Sequence, residues 1–292
     1  MFIVEQIING ISLGMVYGLI AVGYSLVFGI LKLVNFSHGS VYAFGTHMAL
    51  MFITLKFGFV FGIIASIILT GGLGILIDYT ALKPLRDKHS LPISALITTI
   101  GVSYIIQNGL MIAFGSEKKS FPKLIDVGYI TVLGLSINSQ QIIIFLTCLV
   151  LMIILTFIIY KTKIGLAMRG IEQNRKAANL MGINVNFIIA FTFFLGGVSA
   201  CISAILISSY YQVVYPNMGV VIGMKAFAAA VLGGIGILHG SIIGGLIVGI
   251  SENLATAFLG GNYRDAVAFI ILILVLILKP VGLFGKKGIV KV

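Results

Sequence analysis

The sequence predicts an all-α integral membrane protein, a polytopic helix bundle of about eight transmembrane helices with broken or re-entrant segments. Three observations lead there. Apolar residues make up 59% of the 292 positions and charged residues only 9%, more apolar surface than a water-facing domain of this length can hide. The 19 Lys and Arg gather in short segments between apolar runs, the pattern that fixes orientation in a bilayer. No linker, low-complexity tract or polar stretch interrupts the chain, so residues 1–292 read as a single transmembrane domain.

A hydrocarbon core of about 30 Å needs roughly 20 apolar residues per crossing. On that ruler the spans fall near 6–30, 40–56, 58–82, 92–114, 139–160 and 186–211. The region 223–279 holds up to three more, near 223–238, 240–258 and 265–279, the first of them short enough to be a half-helix. The first run, Ile7 to Leu31, has no basic residue before it and no clean small-residue cleavage pattern after it. It therefore reads as a span and not as a cleaved signal peptide. Cys148 and Cys201 lie inside apolar runs, where they pack as small hydrophobes and form neither a disulfide framework nor a metal-ligand spacing.

Lys and Arg set the orientation. Lys83, Arg86 and Lys88 share one loop, Lys161, Lys163, Arg169, Arg175 and Lys176 another, and Lys279, Lys286, Lys287 and Lys291 crowd the C-terminal end. All three groups are cytoplasmic if the N-terminus is outside. The loop 115–138, with Lys118, Lys119 and Lys123 against Glu117 and Asp126, is then external against the trend and is outvoted. The net charge of +11 thus points to membrane lipid and topology, with no nucleic-acid partner.

Glycine is heavy, at 36 residues, and serves two purposes. Gly14 and Gly18 have the small-residue spacing that lets two helices approach closely. The run Leu232 to Gly240 has too many glycines for a continuous helix and predicts a break, and a second interruption falls at Val34–Gly39. Both end in His-Gly-Ser, at 38–40 and 239–241, as paired interruptions do in transporters with internal repeats.

The segment Lys161 to Asn184, KTKIGLAMRGIEQNRKAANLMGIN, is a charged, helix-forming island between apolar runs. Its spacing predicts one helix over 167–181, capped by Gly182, with Ile171, Ala178 and Met181 on a shared apolar face. Such a segment either offers a soluble partner a grip or is a basic loop that fixes topology.

Four stretches, taken in order and spacing, resemble a known family, the Liv-type permease subunits of bacterial ABC importers for branched-chain amino acids. They are GLIAVGYSLVFGILKLVNFSH (18–38), LKPLRDKHSLPISALITTIGVSYIIQN (82–108), the 161–184 island, and GMKAFAAAVLGGIGILHGSIIGGLIVGISE (223–252). The resemblance implies a multi-pass subunit of the bacterial cytoplasmic (inner) membrane that is not itself an enzyme. Neither the family nor this chain has a G-x-x-x-x-G-K-[ST] phosphate loop. ATP and Mg then belong to two cytoplasmic ATPase subunits, with no cofactor on this chain. A second homologous permease subunit and a periplasmic or extracellular substrate-binding protein complete the implied assembly.

In that family the island is the ATPase-coupling segment. Arg169, Ala177, Ala178, Met181, Gly182 and Ile183 match its pattern, while Gly170 replaces an alanine and Glu172 a neutral residue. Gly170 is expected to loosen the first helical turn by about 1 kcal/mol. Asn35, Ser37, His38 and Gly39 resemble the family's Asn-Phe-Ala-His-Gly, with Ser37 for alanine. They either line the translocation pathway or cap neighbouring helices. Gly233, Gly234 and Gly236 are pathway candidates for the same reason of broken backbone; His239 stands where the family often has proline, so a tight turn is expected there.

Glu252 is the one carboxylate well inside a span, and so a pathway candidate by default, against a helix–helix polar contact. Lys225 is expected to snorkel to the interface, and Asp78, Arg264 and Asp265 to sit at interfaces. An ion-coupled secondary transporter or channel is the rival class, thinly supported by Glu252 alone; a permease of the same family for urea or short amides is another alternative. A membrane-embedded enzyme has no H-E-x-x-H motif and no Ser/His/Asp set to stand on.

Overall fold

The computed structural model describes residues 2–88, 90–124, 128–132 and 135–285. His89, Asp126 and the basic residues Lys286, Lys287 and Lys291 lie outside the described residues. Twelve α-helices carry the fold among those described: α1 (Phe2–Leu31), α2 (His38–Thr54), α3 (Phe59–Ile77), α4 (Lys83–Asp87), α5 (Pro92–Phe114), α6 (Ser139–Lys161), α7 (Lys163–Gln173), α8 (Arg175–Leu180), α9 (Val185–Tyr211), α10 (Met218–Gly233), α11 (Leu238–Leu259) and α12 (Arg264–Leu278). Seven helical segments are long and apolar enough to cross a membrane. The shorter α2 and α10 run beside them, and at 17 and 16 residues they reach only about 24–26 Å. The chain is therefore the polytopic bundle the sequence predicts.

The bundle is organised around α1 and α9, which are buried on nearly every side from Gly10 to Val27 and from Ile188 to Ser209. Hydropathy does not mark them as central, since the outer helices α3 and α6 are more apolar. Small residues do. Gly10, Gly14 and Gly18 of α1 face Gly245, Gly249 and their neighbours on α11, and a Cβ at Gly14 would stand 2.7 Å from the Leu246 Cα. The two backbones touch, which is how small-xxx-small seams hold helices together where lipid offers no hydrophobic drive.

α3 runs on through a π-turn at Asp78–Leu82 into α4. Asp78 is buried at this turn and pairs with Arg86 at 2.6 Å. Two small antiparallel ladders form, 119–120 with 213–214 and 129–132 with 135–138. The first ties the 115–138 loop to the chain just after α9.

The region 223–279 resolves into three helices. α10 begins at Met218, five residues before the predicted start. The glycine run is a tight turn at 234–237, with Gly234 at φ +102° and Gly236 at φ +93°, a backbone conformation that favours glycine. The C-terminal stretch closes over it, Leu283 N–H donating to Leu232 O at 2.8 Å and Phe284 N–H to Gly233 O at 3.3 Å. His239 lies in the first turn of α11 with its ring against that of Phe284.

Candidate functional site

The interruption before α2 is a compact turn. The Asn35 side-chain oxygen accepts from Ser37 N–H at 3.1 Å and Ser37 Oγ–H at 2.6 Å, and both residues are buried. His38 opens α2 with its ring edge-on to Tyr24, centroids 4.7 Å apart, and its Nε2 without a hydrogen-bond partner. Gly39 faces α10 so closely that a Cβ would press on the Gly219 carbonyl oxygen and stand 3.2 Å from the Gly223 Cα. Gly39 and Gly223 line a small cavity of about 160 Å³ with Tyr24, Ser40, Ser103 and Gln107. Gln107 donates to Asn217 at 2.6 Å, whereas Asn108 bonds only to its own helix at the Tyr104 carbonyl.

The second interruption does not join the first. Gly236 lies beside the end of α1, its N–H donating to Ser25 Oγ at 3.2 Å. It lines a separate crevice with Arg169 and Glu172. Gly233 packs against Gly240 across the turn, and Gly234 against Gly285.

Glu252 sits at the centre of an ionic cluster that its position alone does not reveal. It is fully buried, and its Oε1 accepts from Tyr17 OH at 3.1 Å, from Lys225 Nζ at 3.0 Å and from the Arg264 guanidinium. Its Oε2 has no partner. Lys225 also pairs with Asp265 at 2.6 Å, and Arg264 donates to Tyr211 OH. The expected snorkelling of Lys225 is thus overturned: its side chain is 4% exposed, held inside by two carboxylates. The signal in the sequence was a lysine and a glutamate on successive spans, Lys225 and Glu252, since one buried charge in a membrane calls for another.

The 161–184 segment departs from its prediction. Asn174 divides it into α7 and α8, because its side chain accepts from Ala177 N–H at 3.0 Å and so starts a new helix. Gly170 consequently lies in the second half of α7 and not in a first turn. Gly182 ends α8 at φ +81°, as the cap pattern required. Ile171 and Ala178 are buried against the chain's own body, while Met181 is 84% and Leu180 88% exposed. The predicted shared face is therefore split: its inner half anchors the segment and its outer half is open. Ala177 is exposed; Ile183 and Arg169 are half-buried, with Arg169 over the Tyr160 ring. Arg175 is held below its usual range by partial burial and by Arg86 nearby. Lys32 reaches Glu172 at 2.9 Å, linking the end of α1 to α7 through an exposed pair that stabilises little.

The sequence model of the family described as branched-chain amino acid transport system / permease component matches residues 6–276. The chain belongs to this family. Among its relatives, the high-affinity branched-chain amino acid transport system permease protein BraD of Pseudomonas aeruginosa is 38% identical, over 99% of this chain and 97% of BraD. The permease protein LivH of Escherichia coli K12, of the same transport system by name, is 37% identical over 100% of this chain and 98% of its own length. The ribose import permease protein RbsC of Haemophilus influenzae is 27% identical over 98% of this chain and 88% of RbsC. As a member of this permease family the chain is a membrane transport component.

Proposed function

We propose that this chain is one of two homologous membrane subunits of an ATP-driven importer that moves branched-chain, aliphatic amino acids into the cytoplasm. Two ATPase subunits supply ATP and Mg on the cytoplasmic side, and an extracytoplasmic binding protein delivers the substrate. The observation that carries this reading is the likeness to BraD and LivH over essentially the full chain.

Two features of the chain support it. Leu180 and Met181 stand open on short helices between long apolar spans, in the form that helix-in-groove docking to a soluble subunit takes. Arg169, Ala177, Ala178, Gly182 and Ile183 shape and anchor that segment. The second feature is α10, whose backbone meets Gly39 on one side while Lys225 meets Glu252 on the other. We assign the translocation pathway to the neighbourhood of this helix, with Asn35, Ser37, His38 and Gly39 shaping it. Gly233, Gly234 and Gly236 form the turn that sets the inner end of α10.

The test is reconstitution. Proteoliposomes holding the chain with its homologous partner and ATPases should take up labelled leucine only with internal ATP and external binding protein. Uptake by the purified chain alone, driven by an ion gradient, would replace the importer by a secondary transporter.

A further inference from the structure

α10 presents two opposite faces. Gly219, Val220, Gly223 and Met224 border the cavity at Gly39, whereas Met218, Val221, Ile222 and Lys225 border a larger one of about 390 Å³. The second cavity lies between α1, α9, α10 and the start of α12, beside the 119–120/213–214 ladder.

Its lining is mixed. Ile207, Val213, Val221 and Ile222 are apolar, and Lys118, Arg264, Lys225 and Asp265 are charged, with Lys225 and Arg264 both paired to the buried Glu252 carboxylate. Glu252 and Asp265 together hold Lys225, so this lysine is fixed. Arg264 uses its Nε on Glu252 and its Nη2 on Tyr211, and a guanidinium has five N–H donors. Lys118 stands over the Tyr215 ring, on an exposed position at the mouth. Asp265 is 54% exposed and keeps acceptor capacity beyond the one lysine. Cationic donors, an open carboxylate and branched aliphatic side chains thus line one cavity.

We propose that this cavity is a binding site for a zwitterionic aliphatic amino acid. Its carboxylate meets Arg264 and Lys118, its ammonium meets Asp265, and its side chain lies against Val221, Ile222 and Ile207. Both charged ends of a zwitterion find a counter-charge in this lining, whereas a plain anion would leave Asp265 unused and a plain cation would leave Arg264 and Lys118 unused. A small number of placed polar groups on an otherwise apolar surface is the usual make-up of a small-molecule site. The proposal rests on the importer reading and adds to it a place where the permease itself holds the substrate.

The experiment uses the assembled transporter in detergent, without binding protein. A Val221→Cys reporter is labelled with a water-soluble thiol reagent, and the unsubstituted chain, whose Cys148 and Cys201 are buried, gives the background rate. The ligands are L-leucine, leucinamide, which lacks the carboxylate, and 4-methylpentanoate, which lacks the ammonium. Leucine should slow labelling about fivefold at four times its dissociation constant, and neither analogue should match it. Asp265→Asn, made in the reporter chain, should remove most of the protection by leucine. Equal protection by 4-methylpentanoate would overturn the proposal in favour of a simple anion site, and equal protection by leucinamide in favour of an apolar one. Failure of leucine to protect would overturn it outright. ATP- and binding-protein-dependent leucine import by the unsubstituted transporter is measured alongside: import without protection sinks the site and leaves the importer, while protection without import does the reverse.

Discussion

Neutralising Glu252 tests whether the buried cluster is one electrostatic unit. In Glu252→Gln the side chain keeps its shape and one oxygen to accept hydrogen bonds, but its charge is gone. Lys225, 4% exposed, is left with Asp265 alone, and the Arg264 side chain, 29% exposed, loses its carboxylate. Breaking a buried pair from one side costs about 3–5 kcal/mol. Asp265 still stands 2.6 Å from Lys225 and Arg264 has some access to water, so the lower end, about 3 kcal/mol, is expected. Lys225→Met should cost a similar amount by stranding Glu252 against Arg264 alone. The double variant Lys225→Met/Glu252→Gln should lose less than the sum of the two, because removing both charges leaves neither unpaired. The assay is thermal unfolding of the detergent-solubilised chain, with both single variants and the pair measured together. Strictly additive losses, or a Glu252→Gln protein as stable as the parent, would refute the account of the cluster.

The remaining expectations concern the coupling segment, topology and glycine packing. Leu180→Glu and Met181→Glu should insert normally yet weaken co-purification of the ATPase subunits, since both side chains are open to a partner. Ala178→Glu should lower the stability of the chain itself, because Ala178 is 6% exposed and the charge would have no partner. Equal ATPase recovery in all three variants would remove the docking role. A Ser90→Cys chain in intact cells should resist an impermeant thiol reagent, as a cytoplasmic 83–91 loop requires; ready labelling would invert the topology. Gly39→Ala should destabilise by about 1–3 kcal/mol through overpacking, as the new methyl meets the Gly219 carbonyl. Gly72→Ala, with open space around it, should be neutral or gain up to about 1 kcal/mol; the reverse order in thermal unfolding would contradict the α2–α10 contact.

Most of the helices were legible because seven segments obey the bilayer's length rule, and the breaks at 35–37 and 234–237 fell where glycine and polar residues interrupt the apolar runs. The order of burial was not legible. α1 and α12 look alike in hydropathy, yet one is the axis and the other the rim, and the difference is carried by Gly10, Gly14 and Gly18 meeting Gly245 and Gly249 on a helix more than two hundred residues away. The partners of Glu252 were missed for the same reason: Tyr17, Lys225 and Arg264 lie on three other helices, and pattern along one helix says nothing about its neighbours. The 161–184 segment failed differently. Asn174 was read as a helical position, and its capping oxygen won instead. Met181 was assigned to one apolar face with Ile171 and Ala178 from a single unbroken period, and the new helix start at 174 set it apart from them.

The glycine seam between α1 and α11 also has a consequence for biogenesis. α1 leaves the ribosome well before the backbone surface it is shaped to meet; Tyr17 and Glu252, joined by a hydrogen bond, are 235 residues apart. Until α11 enters the bilayer, α1 has lipid along its glycine edge and Lys225 has no glutamate beside it. Contacts so distant in sequence form late and slowly. A chain cut after residue 237 should therefore insert most of its spans and still be cleared by proteolysis, which pulse-chase labelling of nested truncations would reveal. Synthesis of α11 is what locks α1 in place.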